Sequence, residues 1–378
     1  MAAVNSNYLT KAKRIVVKIG SALVVNNSNG IILKDKIESL SQEISTMINN
    51  NKEIMLVTSG AVALGRNSLG LKNKSLTLQE KQAAAANGQV ILAHAWISAL
   101  FKNNVVGAQV LLSHSDAEIR RNALNARNTL ETLMKLRAVA IINENDTVAT
   151  AELRYGDNDR LAARVAQISS ADALVILSDV SGLYDVNPMI NKKGKLIENV
   201  TEITPEIEAM AGDKISKNSS GGMVTKLQAA KIALATGCHM AITSGKTDLP
   251  LTKLSAGEPA TWFISSKSPN SARKSWIASQ IEVNGKLIID NGAYLALKKG
   301  SSLLPAGVLN VFGKFGRGDV VEIANREEKI FGRGMVAYSS EDAMLIKGHK
   351  SEEIENLLGY NGRNVIIHRD DMVISEYK

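Results

Sequence analysis

Two lysines and one cluster of carboxylates and amides have the types and spacing to handle phosphate and a small charged ligand. Lys18 interrupts an otherwise apolar run at 14–19, just before Gly20 and Ser21. A lysine in such a run must bring its ammonium to solvent or to an anion, because burying an unpaired charge is costly. Lys226 follows Ser219, Ser220, Gly221 and Gly222 at the start of a helix-like stretch. Glycines at a helix start let backbone N–H groups approach an anion, and the helix end adds partial positive charge. Either an ordinary surface lysine or an anion ligand fits Lys226 read alone. The third feature is the run IINENDTVAT at 141–150, with Asn143, Glu144, Asn145 and Asp146, followed by Asp157, Asn158 and Asp159. Such a set could hold a zwitterion, its carboxylates taking an ammonium and its amides taking carboxylates. It could instead bind Mg²⁺ directly, or cap a helix beginning near 158.

Other chemistries lack their residues. There is no Walker A motif, and no GxGxxG follows a strand-like run. No Ser-His-Asp set suggests itself, and His94, His114, His239, His349 and His368 show no metal-ligand spacing. The single cysteine, Cys238, lies in an apolar stretch and reads as a small buried residue.

These residues need a frame that brings distant positions together. Apolar runs at 14–19, 53–58, 105–112, 138–142, 173–177 and 239–243 read as strands. Several are apolar on both faces, as in a central parallel sheet covered by helices. Helix-like stretches lie between them, near 34–50, 80–103, 116–136, 158–171 and 222–236. This alternation predicts a three-layer α/β/α sandwich with a mostly parallel central sheet. Ligands of open α/β sheets gather at the carboxyl ends of strands. Gly20-Ser21, Ser59-Gly60, 143–146 and Ser178-Asp179 all follow such runs, so they are expected at one sheet edge.

The 378 residues suit two domains. We expect a domain at 1–264, a Ser-rich linker at 265–280, and a small β-barrel at 281–378. In the barrel, 286–289, 293–297, 308–311, 320–323, 335–338 and 365–367 read as strands, with a helix near 351–358. Net charge is +8. Residues 1–275 hold 32 Lys and Arg against 23 Asp and Glu, and the remainder holds 13 against 14. The basic excess thus falls in the larger domain, where it suits a phosphate-rich small substrate such as ATP as well as a polyanion. The near-neutral C-terminal part opposes RNA binding. The apolar run at 15–17 ends at Lys18, too early for a secretion signal, and no membrane span is expected. A reducing cytoplasmic setting is the expectation.

The stretches VVKIGSALVV (16–25), VTSGAVALGR (57–66), INENDTVATAE (142–152), GDND (156–159), LSDVSGLYDVNP (177–188), GGMVTKLQAA (221–230) and GSSLLPAGV (300–308) share an order and spacing that is highly specific. On them the chain resembles the glutamate 5-kinases of the amino-acid kinase family over nearly its whole length. Its C-terminal part resembles a PUA domain. The resemblance implies the amino-acid kinase fold and ATP-dependent phosphorylation of the glutamate side-chain carboxylate, the first step of proline synthesis. It implies that Lys18 and Lys226 contact the phosphoryl oxygens and that Asp159 orients both. Ser59, Asn143, Asp146, Asp157 and Asn158 would hold glutamate. Lys18, Ser178, Asp179, Ser220, Gly221, Gly222, Met223, Val224, Thr225 and Lys226 would hold ATP, with Mg²⁺ bound mainly through the ATP phosphates and no protein metal site. The Gly20 and Gly60 amides would face the reacting groups. Feedback inhibition by proline, hand-over to glutamate-5-phosphate reductase and a homo-oligomer also follow from the resemblance alone. Arg160 and Asn187 depart from the residues usual in relatives; neither departure removes a proposed catalytic residue, and their effect on nucleotide affinity stays open at this point. An RNA-binding protein and a catalytically dead relative are the competing readings. Charge balance opposes the first, and retention of Lys18, Asp159 and Lys226 opposes the second.

Overall fold

In the computed structural model, residues 8–26, 29–71, 75–148, 158–186, 194–212, 222–280 and 283–374 are described. The chain divides into two units, Met1–Glu118 with Asn125–Pro269, and Ile119–Leu124 with Asn270–Lys378. The first is built on an eight-stranded sheet of order β3-β4-β2-β1-β5-β7-β8-β6. Its strands are β1 (Arg14–Ile19), β2 (Glu53–Thr58), β3 (Gly107–Leu112), β4 (Val139–Glu144), β5 (Ala173–Ser178), β6 (Asn199–Val200), β7 (His239–Ser244) and β8 (Thr261–Phe263). The strands from β3 to β7 in this order run parallel, and β8 pairs antiparallel with β7. The central strands β4 and β5 are buried along their whole length, which explains why they read as continuous apolar runs rather than alternating ones.

Parallel strands place their carboxyl ends on one edge. Lys18 in β1 lies level with Val57 of β2 and Ile176 of β5. From β1 the chain first builds outward through β2, and later returns to add β5 on the other side. That reversal opens the crevice where ligands of such sheets bind.

Helix Leu78–Phe101 is the other element that shapes this edge. Thr77 and Glu80 close a capping box at its start, the Glu80 N–H donating to the Thr77 Oγ1 at 3.3 Å and the Thr77 N–H to the Glu80 carboxylate at 2.9 Å. Leu92, Trp96 and Leu100 bury against the sheet. Truncating one such leucine to alanine costs on the order of 2–5 kcal/mol. Gly65 and Gly88 let this helix cross helix Ala61–Ser68 at backbone contact. A Cβ on Gly65 would overlap the Ala84 carbonyl, and one on Gly88 the Ala61 carbonyl. By length and composition helix Leu78–Phe101 could cross a membrane, but its inner face packs in the core of this unit.

The second unit carries a five-stranded sheet of order β10-β9-β11-β12-β13, from β9 (Gly285–Ile289), β10 (Val308–Gly313), β11 (Val320–Ala324), β12 (Ile330–Met335) and β13 (Met372–Ile374). Three expected strands differ. Residues 293–297 lie in helix Asn291–Lys298, because Asp290 caps its first turn by accepting from the Ala293 N–H at 2.7 Å. Of residues 335–338, Met335 ends β12, and 336–338 follow it without forming a strand of their own. Of 365–367, only Ile367 bridges, to Leu303. The Ser-rich stretch expected as a linker contains helix Pro269–Ala278.

Candidate active site

Lys18, from the end of β1, and Lys226, from the first turns of helix Met223–Ala235, meet on one carboxylate. The Lys18 Nζ lies 2.7 Å from Asp159 Oδ1, and the Lys226 Nζ lies 3.2 Å from Asp159 Oδ2. Thr225 Oγ1 donates to Oδ2 at 2.9 Å. Asp159 is 1% exposed, Lys226 4% and Lys18 6%. Burial alone would raise the Asp159 carboxyl, but the two ammonium charges and the hydrogen bonds from Lys18 and Thr225 hold it below its ordinary value. The trio therefore keeps two cations against one anion in a dry setting. Its surplus positive charge matches an incoming anion such as a phosphoryl group.

One residue earlier, Asn158 opens helix Asn158–Ser169 and faces a different set of partners. Its Nδ2 donates to the Thr58 carbonyl at 2.8 Å, to Ser59 Oγ at 2.9 Å and to Asn143 Oδ1 at 2.8 Å. Asn143 Nδ2 in turn donates to Gln89 Oε1 at 2.6 Å. All four side chains are buried. Trp96 Nε1 donates to Thr58 Oγ1 at 3.0 Å, tying helix Leu78–Phe101 to the end of β2. Ser59 leads into Gly60, whose φ of 117° belongs to the left-handed region and whose missing Cβ leaves room for Val25.

Asp146 is 9% exposed, and burial pushes its carboxyl up to about 6. It is a desolvated carboxylate suited to an ammonium. Ser178 Oγ donates to Asp179 Oδ1 at 3.2 Å at the end of β5. Gly222 caps helix Met223–Ala235 without a side-chain cap. The Thr225 N–H donates to the Gly222 carbonyl at 3.2 Å, and Met223 and Val224 open the first turn beside Lys226. The Gly20 N–H donates to the Leu177 carbonyl at 3.3 Å, so that amide joins the sheet instead of facing reacting groups. Asp157, Ser220 and Gly221 lie outside the described residues. Cys238 is buried, and burial raises its thiol, with Asp172 adding to the effect.

Sequence reasoning missed Gln89, Thr58 and Trp96. Gln89 carried a signal, a long amide beside a glycine in the small-residue stretch AAAANGQ. Thr58 lies inside the VTSGAVALGR stretch, but it acts through its backbone carbonyl and through a hydroxyl that accepts from Trp96, roles its residue type does not announce.

The open parallel sheet with two lysines on a shared aspartate at its edge defines the class, and the amino acid kinase family matches residues 13–244. A PUA domain matches residues 285–358. The glutamate 5-kinase of Paramagnetospirillum magneticum is 54% identical over 366 residues, spanning 97% of this chain and 99% of that protein. That of Agrobacterium fabrum is 51% identical over 367 residues, spanning 97% and 94%. The solved UMP kinase of Ureaplasma parvum is 17% identical with a TM-score of 0.48, covering 68% of this chain and 100% of that one. The chain belongs to the glutamate 5-kinases of the amino acid kinase family.

Proposed function

We infer that the chain transfers the γ-phosphoryl group of ATP to the side-chain carboxylate of L-glutamate, giving ADP and L-glutamate 5-phosphate, the first committed intermediate toward proline. The observation that carries this reading is the pair of buried lysines on Asp159, one residue from the amide network around Asn158. A glutamate carboxylate oxygen attacks the γ-phosphorus as the bond to the departing ADP oxygen breaks. The carboxylate is ionised at neutral pH, so no general base is needed, and catalysis becomes positioning and charge stabilisation. Lys18 and Lys226 stabilise the charge on the transferring group, and Asp159 fixes both ammoniums. Ser59, Asn143, Asp146, Asp157 and Asn158 hold glutamate. Ser178, Asp179 and the 220–226 segment hold ATP.

Mg²⁺ is the expected companion of ATP, and it would neutralise phosphate charge. Among the described residues no three His, Cys, Asp or Glu side chains cluster as ligands, and Asp159 is engaged by two lysines. This donor set suits a metal carried by the ATP phosphates. Proline as inhibitor, hand-over of the labile acyl phosphate to a reductase, a homo-oligomeric assembly and a cytoplasmic site of action complete the proposal, and all four rest on family likeness.

Hydroxylamine trapping tests the reaction, since an acyl phosphate yields a hydroxamate. Glutamate should give product only with ATP and Mg²⁺. Product from aspartate or N-acetylglutamate, with none from glutamate, would overturn the substrate assignment.

A further inference from the structure

The amide network has a fixed polarity that extends to a residue outside every motif. A backbone carbonyl can only accept, so the Thr58 carbonyl compels Asn158 to turn its Nδ2 inward. Asn143 must then present Oδ1 to Asn158, which turns its own Nδ2 toward Gln89, where Oε1 accepts. The opposite orientation at any one step would set donor against donor or acceptor against acceptor. Two buried groups are left without a partner among the described residues, Asn158 Oδ1 and Gln89 Nε2. One is an acceptor and the other a donor. An α-amino acid brings the complement of both, an ammonium that donates and a carboxylate that accepts.

We propose that Gln89 is a positioning residue for glutamate recognition: by accepting from Asn143 it satisfies the far end of the chain whose direction the Thr58 carbonyl sets, and so keeps Asn143 on Asn158 while Asn158 Oδ1 is offered to the substrate ammonium. This rests on the glutamate reading above. Without the Gln89 acceptor, Asn143 Nδ2 becomes an unpaired buried donor, and the side chain relieves this by rotating away. Asn158 then loses one of three acceptors that hold it. Gln89 is held in register by the Gly88 crossing, and Trp96 pins the same helix to Thr58. The lysine side of the site shares no hydrogen bond with Gln89 among the described residues, so phosphoryl transfer should be little affected.

The test is a double-mutant cycle read on the glutamate KM, with kcat and the ATP KM as controls. Gln89→Leu should raise the glutamate KM on the order of tenfold, with kcat and the ATP KM within about threefold of wild type. Asn143→Ala should raise the glutamate KM at least as much. The double variant should match Asn143→Ala within about twofold, because Gln89 acts through Asn143. Independent, multiplying effects would overturn the proposal, as would an unchanged glutamate KM in Gln89→Leu or an equal rise in the ATP KM. If Gln89→Leu does not fold, Gln89→Met, closer in length, reads the same cycle. Failure of the glutamate reading is distinguishable: the wild type would then make another amino acid's hydroxamate, and the cycle would be read on that substrate.

Discussion

The two ends of the site solve different problems with different chemistry. At the Asp159 end, two cations crowd one carboxylate, and the arrangement is held by charge. At the Asn158 end, the groups are neutral amides, and their arrangement is held by the direction in which a backbone carbonyl can bond. Asn158 and Asp159 are adjacent in one helix turn, yet they serve opposite ends. Charge at the first end should act on the transition state and so on kcat. Amide geometry at the second should act on ground-state binding and so on KM.

The largest expected effect comes from breaking the charged end. Asp159→Asn removes the carboxylate that two buried ammoniums share and should destabilise the protein by about 3–5 kcal/mol, read as a shift in the urea midpoint, with a collapse in kcat. Because the Asp159 carboxyl lies below its ordinary value of 3.8, its stabilisation is present above that pH and is lost as pH falls through the lowered value. A variant of wild-type stability would remove the claim that charge holds this end.

Disturbing the amide end through packing should be milder and fall elsewhere. Gly88→Ala drives a methyl into the Ala61 carbonyl and displaces Gln89 beside it. Overpacking of this kind costs about 1–3 kcal/mol. The glutamate KM should rise while the ATP KM stays near wild type, measured by steady-state kinetics on folded protein. Equal changes in both would mean that the two ends are not separable.

The smallest effect is a titration. Asp146, raised to about 6 by burial, is ionised at pH 7 and can pair with the glutamate ammonium. As pH falls below that value the carboxyl becomes neutral and the attraction is lost. The glutamate KM should therefore rise by up to about tenfold per pH unit between pH 6 and 5, and Asp146→Asn should flatten that slope while raising KM at neutral pH. An unchanged slope in the variant would exclude Asp146 as the titrating group.

How much of this was legible in the sequence follows the same division. Lys18 was visible because a charge inside an apolar strand has few bland explanations, and β1, β2, β4, β5 and β7 stood out as apolar runs. Asn143, Asp146 and Asn158 were visible as a cluster. Gln89 was not, because its role depends on a helix crossing set by Gly65 and Gly88, a long-range packing fact. In the second unit, 293–297 read as a strand from its apolar content, while the Asp290 cap that makes it a helix was overlooked. Short strands between glycines carry weak periodicity, which is why the boundaries of that unit shifted most.

The most direct test of the account pairs one residue from each end in the hydroxamate assay. Lys226→Ala should lower kcat by about 10²–10³-fold with the glutamate KM within a few-fold of wild type. Asn158→Ala should raise the glutamate KM by about tenfold or more and lower kcat far less. Normal turnover in Lys226→Ala, or a loss in Asn158→Ala confined to kcat, would contradict the division of labour between the two lysines and the amide network.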